Sequence, residues 1–405
     1  MNEETPGPAR LERSIGLWGM VFYGVGTIIG GGFYALLGKI VGQAGPFTLI
    51  CLLLAGALAL ITALSFAELS RRFPVSAGEA HYVQSAFGRR RLSRLVGLLV
   101  ILTGVVSAAT LCVATGGFIL DLTGVPAQWL IALTAIALTA IAAWGVAESV
   151  AVVAVITLIE AGTLLLIIAL SGERLLELPG VLRDMFEQRD QFHAGVLVAT
   201  AFLAFYAFVG FEDMVNMAEE VRDAERTLPR AIHIAVAITL LLYTGVAIVA
   251  IGLPDRAAFA SANTPLALLL PQTRYGDLII GIVSVLAGLN GALVQLIMAS
   301  RVLYGMASSG MAPRLFARVN RRTRTPLAAT LLAGAVILAL ATSFSLTGLA
   351  QATSFIILLV FALVNLSLAT LRWRESESHR AATIPWLPLV AACSCMAMLL
   401  LRLAG

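Results

Sequence analysis

The sequence predicts an all-α polytopic membrane protein with about eleven transmembrane helices. They are expected to form two inverted five-helix repeats, with helices 1 and 6 broken, plus one extra C-terminal helix. Three observations carry that expectation. The 405 residues are 59% hydrophobic and 12% charged, where soluble domains hold about twice that share of charge. Apolar runs of about 20 residues, the length that crosses a bilayer, recur along the whole chain. Two of these runs, the first and the sixth, are interrupted in the middle by residues that a regular helix disfavours.

Residues 1–14 are polar and read as a cytoplasmic tail. Span 1 follows, from about Ile15 to Val41. It has no small-residue cleavage site, so no removable signal peptide is expected. Its centre reads Gly24-Val25-Gly26-Thr27-Ile28-Ile29-Gly30-Gly31-Gly32-Phe33-Tyr34. Five glycines in nine residues cost about 1 kcal/mol each relative to alanine in a helix interior. Small residues also let membrane helices pack closely, but a triple glycine after Gly-Val-Gly favours an unwound break. Inside a bilayer such backbone survives only where protein buries it or a cavity wets it. A break at mid-depth is the usual mark of a transport site.

The remaining spans follow in order. Span 2 runs from Pro46 to about Leu69. After Arg71-Arg72-Phe73-Pro74 comes a short amphipathic stretch, Gly78 to Phe87, then span 3 from about Leu92 to Ile119. Span 4 covers Pro126 to Trp144 and span 5 Ser149 to Leu170. A polar loop is expected from Ser171 to Gln191. Span 6 starts near Ala194 and span 7 near Leu228. Span 8 runs from Gly276 to about Ala307, span 9 from Pro326 to Thr342, span 10 from Leu349 to Leu371 and span 11 from Pro385 to Leu403. The units are thus the tail 1–14, a first repeat 15–170, an extracellular loop 171–191, a second repeat 192–371, and a loop with helix 11 over 372–405.

The basic residues test this count. With the N-terminus inside, inner segments hold twenty arginines, among them Arg71, Arg72, Arg89–Arg91, Arg222 and Arg372. Outer segments hold seven basic residues, among them Lys39, Arg256 and Arg402. That asymmetry satisfies the positive-inside rule. It puts the chain in a cell (inner or plasma) membrane with the N-terminus cytoplasmic and the C-terminus outside. The four cysteines, Cys51, Cys112, Cys393 and Cys395, lie in apolar segments and read as reduced packing residues.

The second break lies in span 6, at Ala204-Phe205-Tyr206-Ala207-Phe208-Val209-Gly210-Phe211-Glu212-Asp213. Adjacent acids in an apolar segment are expensive unless they face a cavity or cap a helix. Spans 1 and 6 are five apart and run in opposite directions. That is the pattern of an inverted repeat with both broken helices at the pseudo-twofold axis.

At this point the chain resembles the amino acid–polyamine–organocation (APC) permeases. The glycine run of span 1 is similar to their span 1 motif. Phe208-Val209-Gly210-Phe211-Glu212, Ala218-Glu219-Glu220-Val221 and Leu228-Pro229-Arg230-Ala231-Ile232 resemble their span 6 to 7 signature. Ala299-Ser300-Arg301-Val302-Leu303-Tyr304 with Gly310 and Pro313 resembles the end of their span 8. Phe66-Ala67-Glu68-Leu69 and Pro74-Val75-Ser76-Ala77-Gly78-Glu79 resemble their span 2 to 3 linker. The resemblance implies a leucine-transporter-type fold and secondary transport of amino acids by alternating access.

An amino acid carries a carboxylate and an ammonium at fixed spacing. Backbone N–H groups at the start of the second half of span 1, around Gly30, Gly31, Gly32 and Phe33, suit the carboxylate. Thr27 and Ile28 lie just before them. Carbonyls around Ala204, Phe205 and Phe208, with Gly210, suit the ammonium, and the resemblance implies the same two breaks as the substrate site. Phe205 and Phe208 are expected to close over the substrate, against the alternative that they only pack. Gly31→Leu is expected to abolish binding in a folded protein. Ser107 and Thr110 in span 3, Asn290 in span 8, and Thr353 and Ser354 in span 10 are candidate pocket residues.

Glu160 lies near the middle of span 5. An ionised carboxylate there costs several kcal/mol, so the group is expected to load and release a proton. By the resemblance it falls where proton-coupled relatives carry a lysine, with the sign reversed. The competing reading is a neutral carboxyl tying span 5 to the span 1 backbone. Sodium is the less favoured ion, because Ser284, Ala287, Gly288 and Asn290 offer no Ser-Thr pair in mid-span 8. Glu212 and Asp213 read either as a gate, relay or cation-recognising pair, or as caps of the second half of span 6. Glu219, Glu220 and Asp223, near Arg222 and Arg226, read as a cytoplasmic ion-pair network or gate, and Glu68 falls in the same class. His81, His193, His233 and His379 have no metal-ligand spacing, and no catalytic motif marks an enzyme. The expected partners are a small-molecule amino acid, protons and membrane lipid, with no cofactor, nucleic acid or obligate protein partner. Polyamines or cationic amino acids, by uptake or exchange, are the alternative substrates.

Overall fold

A computed structural model of the chain describes residues 13–75, 78–145, 150–187, 194–253, 255–270, 274–320, 322–374 and 385–404. The described residues are mostly helical, joined by turns and loops, with one isolated β-bridge between Ile15 and Val221 and no strand. In chain order the α-helices are α1 (Leu17–Ala44), α2 (Thr48–Arg72), α3 (Gly78–Phe87), α4 (Arg90–Thr123), α5 (Ala127–Trp144), α6 (Val150–Leu170) and α7 (Leu178–Glu187). They continue with α8 (Ala194–Phe205), α9 (Ala224–Ile251), α10 (Arg256–Ser261), α11 (Arg274–Ser308), α12 (Leu327–Ser343), α13 (Leu346–Arg374) and α14 (Leu387–Ala404).

Among the described residues, nine stretches are long and apolar enough to cross a membrane. The first, Leu17–Arg72, contains both α1 and α2, and α12 is a further apolar helix of 17 residues. The expectation of about eleven spans is met on this basis. The longest helices, α4 and α11, have 34 and 35 residues. At 1.5 Å per residue they reach about 50 Å, longer than a hydrocarbon core of about 30 Å. They pack against each other along much of that length.

The helices are apolar on the outside and place their polar side chains inside. In α6, Val152, Val155, Leu158, Ile159, Leu165 and Leu166 are exposed, while Thr157, Glu160 and Thr163 are buried. That arrangement suits a lipid solvent. Glycines in the left-handed region end two helices, Gly124 after α4 and Gly145 after α5. The cysteines of the described chain are all free, with Cys393 turned outward and the other three buried.

The segment expected as a plain loop before span 6 folds instead. A 3₁₀ stretch, Gly172–Glu177, leads into α7. Leu178 and Met185 of α7 pack on Phe47, Cys51 and Ile251, so its apolar face explains why a polar-looking loop is ordered. The loop before α11 also folds, as α10 and the 3₁₀ turn Pro265–Leu269. Asp255 caps α10 by accepting a hydrogen bond from Ala258 N–H at 2.9 Å.

Both ends of α1 are covered. At the arginine-rich end, Ser14 N–H and Ile15 N–H donate to Glu220 O (3.0 and 3.1 Å), and Arg222 N–H donates to Ile15 O (2.9 Å). At the other end, Lys39 Nζ donates to Ala260 O (2.6 Å). Asp121 of α4 holds the same loop through Asn263 and Thr264.

Candidate substrate site

The break in α1 is a single residue wide. Gly30 has φ 25° and ψ −175°, a backbone that other residues rarely adopt. The carbonyls released by this break need donors. Tyr243 of α9 supplies one: its hydroxyl lies 3.0 Å from Ile28 O and 3.4 Å from Ile29 O. The Tyr243 ring stacks on Phe33, with centroids 3.7 Å apart and planes 6° from parallel.

The break in span 6 is wider. The helix α8 ends at Phe205, continues as a 3₁₀ turn over Tyr206–Phe208, becomes extended at Val209 and reverses at Gly210, which has φ 126°. A second 3₁₀ stretch, Phe211–Met217, follows. A Cβ on Gly210 would collide with the Thr27 carbonyl, so glycine is required by space as well as by φ. Thr27 Oγ1 donates between Gly24 O and Gly210 O, each at 3.0 Å.

A small cavity of about 20 Å³ lies between these breaks. That is room for one or two water molecules, so an amino acid fits only after the walls move apart. Thr27, Ile28, Gly30 and Gly32 line it from α1, Tyr206 and Val209 from the span 6 break. Ser107 and Leu111 of α4, and Gly291, Val294 and Gln295 of α11, complete the lining. The Ser107 and Tyr206 hydroxyls hydrogen-bond to each other at 3.1 Å.

Several expected site residues stand elsewhere. Gly31 does not line the cavity; it forms a helix crossing, and a Cβ there would stand 2.6 Å from the Gly288 Cα. The expectation that Gly31→Leu leaves a folded protein is therefore corrected, because leucine would force α1 and α11 apart. Ala204, Phe205 and Phe208 are buried but absent from the lining. Phe205 meets Phe361 edge-on at 6.0 Å, and Phe208 meets Tyr243 at 5.3 Å. Helix rotation is the reason, since one residue further on, at Tyr206, the side chain turns to the cavity. Asn290 is buried beside Gly291 but outside the lining, and its Nδ2 has no partner among the described residues. Thr110 and Thr353 bond back to their own helices, at Val106 O and Leu349 O. Neither they nor Ser354 line the cavity.

Glu160 is fully buried, and neither carboxylate oxygen has a hydrogen-bond partner among the described residues. Its backbone carbonyl accepts from Tyr34 Oη at 2.8 Å. The tie from span 5 to span 1 thus runs through the Glu160 main chain and leaves its carboxyl out. The α6 side chain that abuts the glycine-rich part of α1 is Thr157, whose hydroxyl occupies the space a Gly26 Cβ would need.

Glu212 Oε2 accepts from Gly210 N–H at 2.8 Å, satisfying a donor released by the span 6 break. Asp213 Oδ2 accepts from Gln295 Nε2 at 2.7 Å and so reaches the cavity wall through Gln295. Glu68 is gripped by Arg72 and by Arg372 of α13. Arg226 and Asp223 are 4.0 Å apart and exposed, a much looser pair. His81 packs against Phe73 and His233 is half-buried in α9; His193 and His379 lie outside the described residues, as do Ser76, Ala77 and Ser149.

Sequence reasoning missed Tyr206, Val209, Tyr243 and Gln295. Gln295 carried a usable signal, being an uncharged polar residue in an apolar span like Asn290 five residues earlier.

Comparison with known proteins bears on the family and the fold. The family profile described as amino acid permease matches residues 15–404. An uncharacterized transporter of Mycobacterium tuberculosis is 32% identical, over 96% of this chain and 86% of that one. The branched-chain amino acid permease BcaP of Bacillus subtilis is 26% identical, over 95% of this chain and 86% of its own length. The crystal structure of MhsT in complex with L-phenylalanine superposes with a TM-score of 0.66 at 15% identity, covering 98% of this chain and 100% of that one. The chain belongs to the amino acid permease family of APC transporters and has the leucine-transporter-type fold.

Proposed function

We propose that this protein is a secondary active transporter that takes up amino acids across the cell membrane by alternating access, driven by protons. The observation that carries the site is the junction of two broken helices around one cavity, tied by Thr27 and Gly210. In this reading the α-carboxylate takes the N–H groups that follow Gly30, and the ammonium takes carbonyls of the span 6 break. The cavity is in a contracted state and widens as a gate opens.

Glu160 is the proposed proton site. A buried carboxyl without a partner is stable when neutral and costly when ionised. A step that wets it, or brings a cation to it, lets the proton leave. The arginine asymmetry supports a cytoplasmic N-terminus and an external C-terminus.

The test uses purified protein in proteoliposomes, measuring alanine and leucine uptake under an imposed inward pH gradient. Glu160→Gln, which mimics the protonated state, is expected to abolish gradient-driven accumulation and keep substrate counterflow. Gradient-driven uptake at the wild-type rate and pH dependence in Glu160→Gln would remove Glu160 from the coupling mechanism.

A further inference from the structure

Gln295 lines the cavity from α11 and is 5% exposed. Its Nε2 donates to Asp213 Oδ2. A carboxylate offers only acceptors, so the amide nitrogen faces Asp213 and the amide oxygen is turned away from it. That oxygen is buried and has no hydrogen-bond partner among the described residues. Leaving such an acceptor unsatisfied is costly.

The other polar side chains of the lining are engaged. Thr27 is shared between two carbonyls, and Ser107 and Tyr206 bond to each other. Among the described residues, the lining holds no lysine, arginine or histidine. Asp213 stands one hydrogen bond behind the Gln295 amide. In a low-dielectric site that contact polarises the amide and makes its oxygen a stronger acceptor. The Gln295 oxygen is therefore a spare buried acceptor on a residue of the cavity wall, one that a donor reaching it would satisfy, and a positively charged donor best.

We infer that Gln295, held in orientation by Asp213, reads the substrate side chain and selects amino acids whose side chain ends in an amine or guanidinium. The inference rests on the cavity being the amino acid site. It assigns the acceptor to the side chain, because the proposed site already supplies the α-ammonium with backbone carbonyls at the span 6 break.

L-lysine and L-norleucine share a backbone and a four-carbon chain and differ in the terminal ammonium. Uptake of each by the full-length protein in proteoliposomes is the test, with glycine, alanine and leucine measured alongside. The wild type is expected to favour lysine over norleucine by at least about tenfold in kcat/KM. Gln295→Leu is expected to shift that ratio toward norleucine by a similar factor, and Gln295→Glu, which keeps an acceptor, to retain a preference for lysine. A role limited to packing would lower both substrates together and leave the ratio alone. A wild-type ratio of one or less, or a ratio unchanged in Gln295→Leu, overturns the inference while leaving amino acid transport intact. Absence of uptake for every amino acid overturns the parent reading as well.

Discussion

The hydroxyl of Thr27 stands 3.0 Å from the carbonyl oxygen of Gly210, 183 residues away in sequence. It also stands 3.0 Å from the Gly24 carbonyl in its own helix. One side chain therefore joins the break of α1 to the break of span 6. The two halves of the proposed site are not independent, and a change at either break is felt at both.

Thr27→Val keeps the shape and removes that link. It leaves buried carbonyls with one donor fewer, a cost of about 1–3 kcal/mol. Melting in detergent is expected to shift downward and apparent affinity for amino acid to fall. Thr27→Ser, which keeps the hydroxyl, is expected to recover most of both. Equal behaviour of the valine and serine variants would mean the hydrogen bond does not matter.

Tyr243 does the same work from α9. Tyr243→Phe retains the stack on Phe33 and loses the bond to Ile28 O. The expected cost is again about 1–3 kcal/mol, with faster amide exchange confined to the residues around Gly30. Tyr243→Ala, which also removes the ring, is expected to cost more than twice the phenylalanine change and to loosen all of α1.

How much of this was legible in sequence follows from which signals are local. The break at Gly30 and the reversal at Gly210 were readable, because glycine density and acids in apolar runs are visible in one dimension. The order and approximate number of the membrane spans were readable from their apolar runs, whereas α7 and α10 were not. Tyr206 was not, since choosing between Phe205 and Tyr206 needs the helix rotation, and an unwound turn shifts that rotation. Tyr243 sits in a seamless apolar helix, and only its contact with α1 distinguishes it. The partition of the glycines was also hidden, with Gly30 and Gly32 at the cavity and Gly31 against Gly288. A run of three identical residues cannot say which one faces which neighbour. The Thr157 placement likewise depends on the register of α6 against α1.

Glu68 is the acid of a buried clamp between α2 and α13 at the arginine-rich end of the bundle, held by Arg372 and Arg72. Arg372→Ala removes one cation and leaves the carboxylate under-compensated, an effect of about 3–5 kcal/mol where a buried pair is broken. Thermal stability is expected to fall, and cysteines introduced near Glu68 should label faster. The double variant Glu68→Ala/Arg372→Ala is expected to be more stable than Arg372→Ala alone. A double variant that is worse would show that packing, not charge, holds these helices.

Glu79 in α3 predicts a pH dependence. Burial raises its carboxyl from 4.5 to about 8, and the nearby charge of Glu212 adds to the rise. Its Oε1 is buried without a hydrogen-bond partner among the described residues. Between pH 4.5 and about 8 the folded state keeps a proton that the unfolded state has lost. Stability is thus greatest below the unfolded value and declines as pH rises through about 8. Glu79→Gln is expected to flatten this slope in melts recorded from pH 5 to 9. An unchanged slope would assign the pH dependence to another group.

The proposed work of the junction between the two breaks is to move amino acids at the expense of a proton gradient. The most direct measurement is accumulation of labelled amino acid by purified protein in proteoliposomes, with the pH gradient imposed and then collapsed by a protonophore. Proton-driven uptake is expected to give accumulation above the external concentration, lost when the protonophore is added and unaffected by replacing sodium with choline. Accumulation that survives the protonophore and disappears without sodium would contradict it.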